Sequence, residues 1–371
     1  VSSPVFQSRF TGKGHEGLTF GYSRDVIWIR LETDNPAKND VPWLLEYGYP
    51  HIDNISIYIP SGSGYSAIHT GDRTNFNTRP MEYRNFIFPL VERPGKRTYY
   101  LSLSSTGSIP VRLNARSLFA FNESITRELM IMYILYGIFI GLAFYNTFIY
   151  FSVRDKAYVY LGLLLVVYIL TSMVQYGFAF QLLWPDAPVF ANYMNPFSIF
   201  ISCYFSLLFT RNFLNTMEYI PIMDRVLIGF MAVSLMSLVF VFFFDYHFMT
   251  QLSMWLMALI MVLYLIVSVM MLFKGSRTAR YYFSSWIIMI IGVIFKILSI
   301  FGVIPYSEMI TWGYHAGSGF MVILLSLGIA DRMNIIRNER ENALKSLKEA
   351  DEKYKTLVEN AHEGSSWSST R

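Results

Sequence analysis

Seven stretches of predominantly apolar residues, at about 129–152, 157–180, 191–213, 224–244, 248–273, 281–304 and 309–330, fill most of the chain after its first third. Crossing the hydrocarbon core of a bilayer takes about 20 such residues in a helix. Inside that core every backbone N–H and C=O must be satisfied within the protein, which favours helices for segments of this length. The runs Leu161-Gly162-Leu163-Leu164-Leu165-Val166-Val167 and Val239-Phe240-Val241-Phe242-Phe243-Phe244 carry no polar stripe, unlike an amphipathic core helix. Composition agrees: 53% of the 371 residues are hydrophobic and 15% are charged, against about 25% charged in a soluble domain. The length prior allows two or three domains, and the lipid bilayer is the first expected partner.

The loops set the orientation. Arg154 and Lys156 lie in the first loop, Arg211 and Arg225 flank the third, and Lys274, Arg277 and Arg280 occupy the fifth. Arg332, Arg337 and Arg340 follow the last stretch, whereas the second, fourth and sixth loops carry neither Lys nor Arg. Short loops rich in Lys and Arg stay in the cytoplasm. The expected arrangement is therefore an extracytoplasmic N-terminus and a cytoplasmic C-terminus. The formal charge of +4 needs no nucleic acid to explain it.

Residues 1–118 read as an extracytoplasmic soluble domain. Ile55, Ile57 and Ile59 alternate with Ser56 and Tyr58, and Tyr99, Leu101 and Leu103 recur at period two. Val26-Ile27-Trp28-Ile29-Arg30-Leu31 ends at Asp34-Asn35-Pro36, and Pro60-Ser61-Gly62 ends another run. Short strands between turn signals predict an all-β, jelly-roll-like sandwich. Residues 119–128 are expected to link it to a seven-helix transmembrane bundle over 129–332. The fold class expected of the whole is a multidomain α+β membrane protein.

Few residues suggest chemistry. Cys203 is the single cysteine and sits within an apolar run, so no disulfide forms within the chain. The six histidines show no metal-ligand spacing. No phosphate-cradling glycine loop, nucleophile elbow or paired-carboxylate motif appears, and neither an enzymatic activity nor a cofactor is expected of this chain. Lys296 is a charge well inside the sixth stretch, where it costs about 2.5–3.5 kcal/mol. Glu308, Asp245 and His315 are its candidate partners, and Lys296, Glu308 and His315 form a candidate polar switch. A static interhelical pair or an outward-snorkelling side chain fits Lys296 as well. Asn146, Gln175 and Asn195 read as interhelical hydrogen-bonding residues.

After the last span, Met333, Ile336, Arg340, Ala343, Leu347, Ala350, Tyr354 and Leu357 step by threes and fours. This is a heptad seam of about three repeats over 333–357, expected to form a cytoplasmic helix that pairs with a second copy; a lone solvated helix also fits. Residues 354–364 resemble the opening helix of a PAS domain. The Ser-rich tail at 365–371 abandons that pattern and reads as non-native, as a truncation or frame shift leaves. At the other end the chain starts at Val1, consistent with removal of a signal peptide or with a fragment.

Beyond single motifs, their order carries a resemblance. Val26 to Leu31, Trp43-Leu44-Leu45-Glu46, His51-Ile52-Asp53-Asn54-Ile55, Tyr58-Ile59-Pro60, Thr70-Gly71-Asp72 and Arg79-Pro80 precede the spans, and Leu325 to Arg332 closes the last. In this order the chain resembles the bacterial seven-transmembrane receptors with diverse intracellular signalling modules that carry the family's second extracellular domain. The resemblance implies a jelly-roll sensor binding carbohydrate or another small ligand. It also implies a missing output module such as a histidine kinase or a diguanylate cyclase. Aromatic rings stack on sugars while carboxylates and guanidinium groups bond hydroxyls, so Trp43, Tyr47, Asp53, Tyr58, Tyr65, Asp72, Arg73 and Arg79 are the candidate ligand residues. Each of these also fits a core, sheet-surface or turn role. The docking of this domain is expected near Trp184, His247 and Trp312.

Two other functions compete. A solute transporter with a substrate-capturing ectodomain would show repeated spans or paired Gly/Pro-broken helices, and neither is visible. A retinal protein would need a lysine in the last span, and none lies between 309 and 331.

Overall fold

A computed structural model of the chain describes residues 7, 10–12, 18–21, 23–300 and 308–368. Among the described residues, nine strands form its N-terminal third. They are β1 (Leu18–Thr19), β2 (Ile27–Asn35), β3 (Val41–Tyr47), β4 (Asn54–Ser61), β5 (Gly64–Thr70), β6 (Phe86–Glu92), β7 (Gly95–Ser104), β8 (Pro110–Val111) and β9 (Leu113–Arg116). A four-stranded sheet in the order β2-β7-β4-β5 faces a three-stranded sheet in the order β6-β3-β9, and β1 pairs with β8. All pairings are antiparallel. The expected all-β sandwich is present.

Alternation decides what fills it. Ile55 and Ile57 of β4, Tyr99, Leu101 and Leu103 of β7, Leu45 and Tyr47 of β3, and Phe86 and Phe88 of β6 are buried in one cluster. Burying each such side chain stabilises by about 1.5–3 kcal/mol. The opposite face of β3 is also covered, because Leu44 packs with Tyr83, Ile87 and Phe121. The second sheet therefore lies between the first sheet and the start of the helical region.

Seven long helices follow: α1 (Leu118–Val153), α2 (Lys156–Gln175), α3 (Pro188–Leu214), α4 (Pro221–Phe240), α5 (Tyr246–Phe273), α6 (Arg277–Ile300) and α7 (Glu308–Ser368). All seven are long and apolar enough to cross a membrane. Their shared core includes Phe139, Leu161, Phe200, Leu207, Phe213, Tyr264 and Tyr282. Phe148, Phe243 and Trp255 are largely exposed on the outside, as an apolar surface that faces lipid requires.

Two expectations need correction. Residues 119–128 are not a separate linker. Ser117 caps α1, its hydroxyl accepting from the Ala120 amide at 3.2 Å, and the helix runs unbroken into the first span. The second span, expected to reach residue 180, ends at Gln175. The chain turns there at Gly177, which has φ +80°, before a short helical turn over Phe178–Leu182. A Cβ on Gly177 would lie 2.7 Å from the Pro50 Cβ, so the β domain reaches the point where the helix stops. The last span and the following heptad segment are one 61-residue helix, continuous through the PAS-like stretch to Ser368. Residues 369–371 of the tail lie outside the described residues.

Candidate functional site

Two places collect the residues that could carry function. One is the outer face of the four-stranded sheet and the other is its junction with the bundle.

The outer face follows from the alternation that fills the core. Because Ile27, Ile29 and Leu31 point inward, Trp28, Arg30 and Glu32 point outward, since side chains alternate across a strand. The register puts Trp28 opposite Ser102, Tyr58 between Tyr100 and Ala67, and His69 beside Ser56. Trp28 and Tyr58 have ring centroids 5.4 Å apart at 30°. The His69 ring meets Tyr58 edge-on at 6.2 Å, and Tyr65 meets Tyr100 at 5.4 Å. Part of the chain's own N-terminal segment lies here. Gln7 accepts from the Arg30 guanidinium at 2.7 Å and bonds the Tyr100 hydroxyl, and Phe10 sits beneath Arg30 with 5.2 Å to its ring.

The junction is made by loops at one end of the sandwich. Gly71 lies so close to the preceding strand that a Cβ would come within 2.0 Å of the Asp53 carbonyl. That approach turns the chain into the segment 72–85, which lies on the helix ends. Asp53 closes the neighbouring loop: it accepts from Ser105 Oγ at 3.0 Å, the Thr106 amide at 3.1 Å and Thr106 Oγ1 at 2.8 Å. Arg73 pairs with it at 3.3 Å and extends over the Tyr246 ring of α5.

Direct bonds then cross the junction. The Phe76 amide donates to the Pro185 carbonyl at 2.9 Å, and His51 Nε2 donates to the Gln175 carbonyl at 3.1 Å. Arg84 donates to the Tyr176 carbonyl at 3.1 Å and pairs with Glu128 of α1, which also accepts from the Tyr83 hydroxyl. His247 Nδ1 donates to the Thr106 carbonyl at 2.6 Å. Asn192 Nδ2 donates to the Asp72 carbonyl at 3.2 Å and to the Pro188 carbonyl at 3.1 Å. The guanidinium of Arg79 lies between the rings of Phe76, Phe86 and Phe180 at 4.4, 4.2 and 5.5 Å, and Arg79 donates to the carbonyls of Tyr83 and Arg84.

A small cavity remains among these contacts, lined by His51, Asp72, Arg79, Trp184 and Asn192. Its volume is about 20 Å³, room for roughly one water. Burial is the main cause that pushes the Asp72 carboxyl up to about 7, and the Asp53 carboxylate adds to it. Burial also lowers His51 to about 4 and Arg79 to about 9.

The candidate residues thus separate. Trp43 and Tyr47 belong to the core; the Tyr47 hydroxyl donates to the Pro110 carbonyl at 2.9 Å and Trp43 packs edge-on against Tyr99. Tyr58 and Tyr65 lie on the outer face. Asp53, Asp72, Arg73 and Arg79 come together at the junction. His315 is buried in the bundle with its ring 4.8 Å from that of Tyr176. The side chains of Lys296, Glu308 and Trp312 lie outside the described residues. Sequence reasoning did not select Trp28, His69 and Tyr100 for the outer face, although period-two alternation marks them. It also did not select His51, Arg84, Glu128 and Asn192, for which no local signal exists.

This arrangement is that of a multi-pass membrane protein whose extracellular β domain is docked on its helices. A family model described as 7TM diverse intracellular signalling matches residues 128–332, and one described as 7TMR-DISM extracellular 2 matches residues 1–117. The first alone spans more than half of the chain, and the protein belongs to this family of seven-transmembrane signalling receptors. No curated protein matches it.

Proposed function

We propose that this chain is the sensing half of a bacterial inner-membrane receptor. An extracytoplasmic ligand binds the β domain, alters its docking on the bundle, and shifts α7 toward a cytoplasmic output module such as a histidine kinase or diguanylate cyclase. The observation that carries this reading is the junction itself. Hydrogen bonds from the loops to the ends of α2, α3 and α5, and an ion pair to α1, couple the sensor directly to the spans. A ligand shifts such an equilibrium only through unequal affinity for its two states.

The outer sheet face supports carbohydrate as the ligand class. Trp28, Tyr58 and Tyr65 supply ring faces, while Arg30, Glu32, Ser56 and His69 supply donors and acceptors around them. Of the residues first favoured, only Tyr58 and Tyr65 lie on this face.

At the far end of the bundle, Arg332 ties the exit of α7 to two other helices. It pairs with Asp155 at 3.4 Å and donates to the Asn212 and Phe213 carbonyls at the end of α3. Beyond it, Leu347 and Tyr354 are each 68% exposed and lie seven residues apart, so one helix face is open to a second copy.

Spin labels at Ala343 and Leu347 of the full chain in nanodiscs test the relay. Saturation with an oligosaccharide first identified by thermal-shift screening should change the interspin distance. An unchanged distance at saturation removes α7 as the reporter. Loss of the thermal shift in Trp28→Ala and Tyr58→Ala, with the fold intact, is the expected result for the ligand face.

A further inference from the structure

Two acceptors that line the junction cavity have no hydrogen-bond partner among the described residues. Asn192 is held by two carbonyl oxygens that accept from its Nδ2, one from Asp72 and one from Pro188. Its amide cannot flip without setting an oxygen against both, so Oδ1 remains an acceptor. That oxygen is buried without a partner, as are Oδ1 of Asp72 and Nε of Arg79. All three side chains are more than nine-tenths buried and line the same cavity. Leaving a buried polar group unpaired costs about 1–3 kcal/mol. An unpartnered buried carboxylate oxygen becomes a donor once it carries a proton, because a carboxylic acid has an O–H to give to an acceptor in the same cavity.

We propose that Asp72, with Asn192 and Arg79 around it, is a proton-binding site at the junction, through which this receptor reads external pH independently of any ligand. Burial and then Asp53 in the adjacent loop disfavour the Asp72 anion, while Arg73, Arg79 and the Asn192 side chain favour it. Tyr246 of α5 and Tyr47 of the core interact with the Asp72 charge. His51 lines the same cavity but is already neutral above about pH 4, and Arg79 stays charged to about 9. Between those limits Asp72 is the member of this cluster that changes charge, close to 7.

The sign follows from linkage. The carboxyl is raised from 3.8 in the unfolded chain, so the docked protein holds the proton more tightly than the open or unfolded one. The stabilisation is fully present below about pH 4 and is lost as pH rises through 7. Docking therefore tightens in acid and loosens toward alkali across that window.

Infrared difference spectroscopy on the full chain in nanodiscs, titrated from pH 5 to 9 without ligand, reads the site directly. A protonated-carboxyl band should disappear with a midpoint near 7, and hydrogen-exchange protection factors over residues 71–79, normalised for the base-catalysed intrinsic rate at each pH, should fall through the same midpoint. Asp72→Asn, which has no carboxyl to titrate and an amide that can donate into the cavity, should abolish the band and keep the protection factors high at every pH. Persistence of the band in Asp72→Asn overturns the proposal, as does its absence from the unmodified chain. Should that variant fail to fold, Asn192→Asp decides instead. Two carboxyls sharing one proton raise the midpoint by more than one pH unit, and an unmoved midpoint sinks the site. Neither readout depends on a sugar or an output module, so failure here and failure of the ligand reading are distinguishable.

Discussion

At the residue scale, the junction rests on a few side chains whose loss has a calculable direction. Arg84 is buried between Glu128, the Tyr176 carbonyl and the rings of Tyr83 and Phe178. Removing one member of a buried pair leaves the other charged and without its partner, at a cost of about 3 kcal/mol. Arg84→Ala should therefore loosen docking, measured as faster hydrogen exchange in both 72–85 and 174–184 with the sandwich core unchanged. Gly177 combines positive φ with contact against Pro50. Gly177→Ala should cost about 1–3 kcal/mol and lower the melting temperature of the intact protein. A melting temperature equal to that of the parent would mean that the Pro50 contact yields without strain.

At the element scale, α7 matters most because it is uninterrupted. In the proposed relay its 61 residues carry a rotation or shift at the membrane boundary along a rigid rod. The restraint on that motion sits at Arg332, whose guanidinium bonds carbonyls at the end of α3, where the helix dipole favours a cation. Arg332→Ala should free α7 below the bundle, so exchange over 333–345 rises several-fold while that of α2 and α5 is unaffected. Arg332→Lys keeps the charge but loses the fork that spans Asp155 and two carbonyls, and an intermediate effect is expected. If Arg332→Ala leaves exchange in 333–345 unaltered, the contact does not restrain the helix. The proposed pairing of α7 with a second copy predicts that Leu347→Asp lowers the dimer fraction of the full chain in sedimentation, and an unchanged fraction removes Leu347 from the seam.

At the scale of the whole molecule, much of the architecture could be read from residues in order. Hydropathy marked seven spans because a bilayer demands some 20 apolar residues per crossing, whatever the tertiary contacts. Period-two patterns marked the sandwich because its interior accepts only alternate side chains, as Ile55 and Ile57 illustrate against Ser56. The same periodicity carried the information that Trp28 faces outward. The roles of Asp53, Asp72, Arg73 and Arg79 were not legible. Each is a polar residue in a turn-rich stretch, and the sequence contains nothing to separate a ligand site from a docking loop. Their partners lie far along the chain: Asn192 is 120 residues from Asp72, and Gln175 is 124 from His51.

What the sequence determined alone is what local physics dictates: the number of spans, the strand class of the first domain, and the helix beyond the membrane. Tertiary structure decided where the second span ends, that residues 119–128 join α1, and that Asp53, Asp72, Arg73 and Arg79 gather at the junction with the bundle and not on the outer sheet face. The physical reason is common to all three. Each depends on the β domain lying against the helix ends, and pairings across some forty to more than a hundred residues leave no periodic trace in either partner.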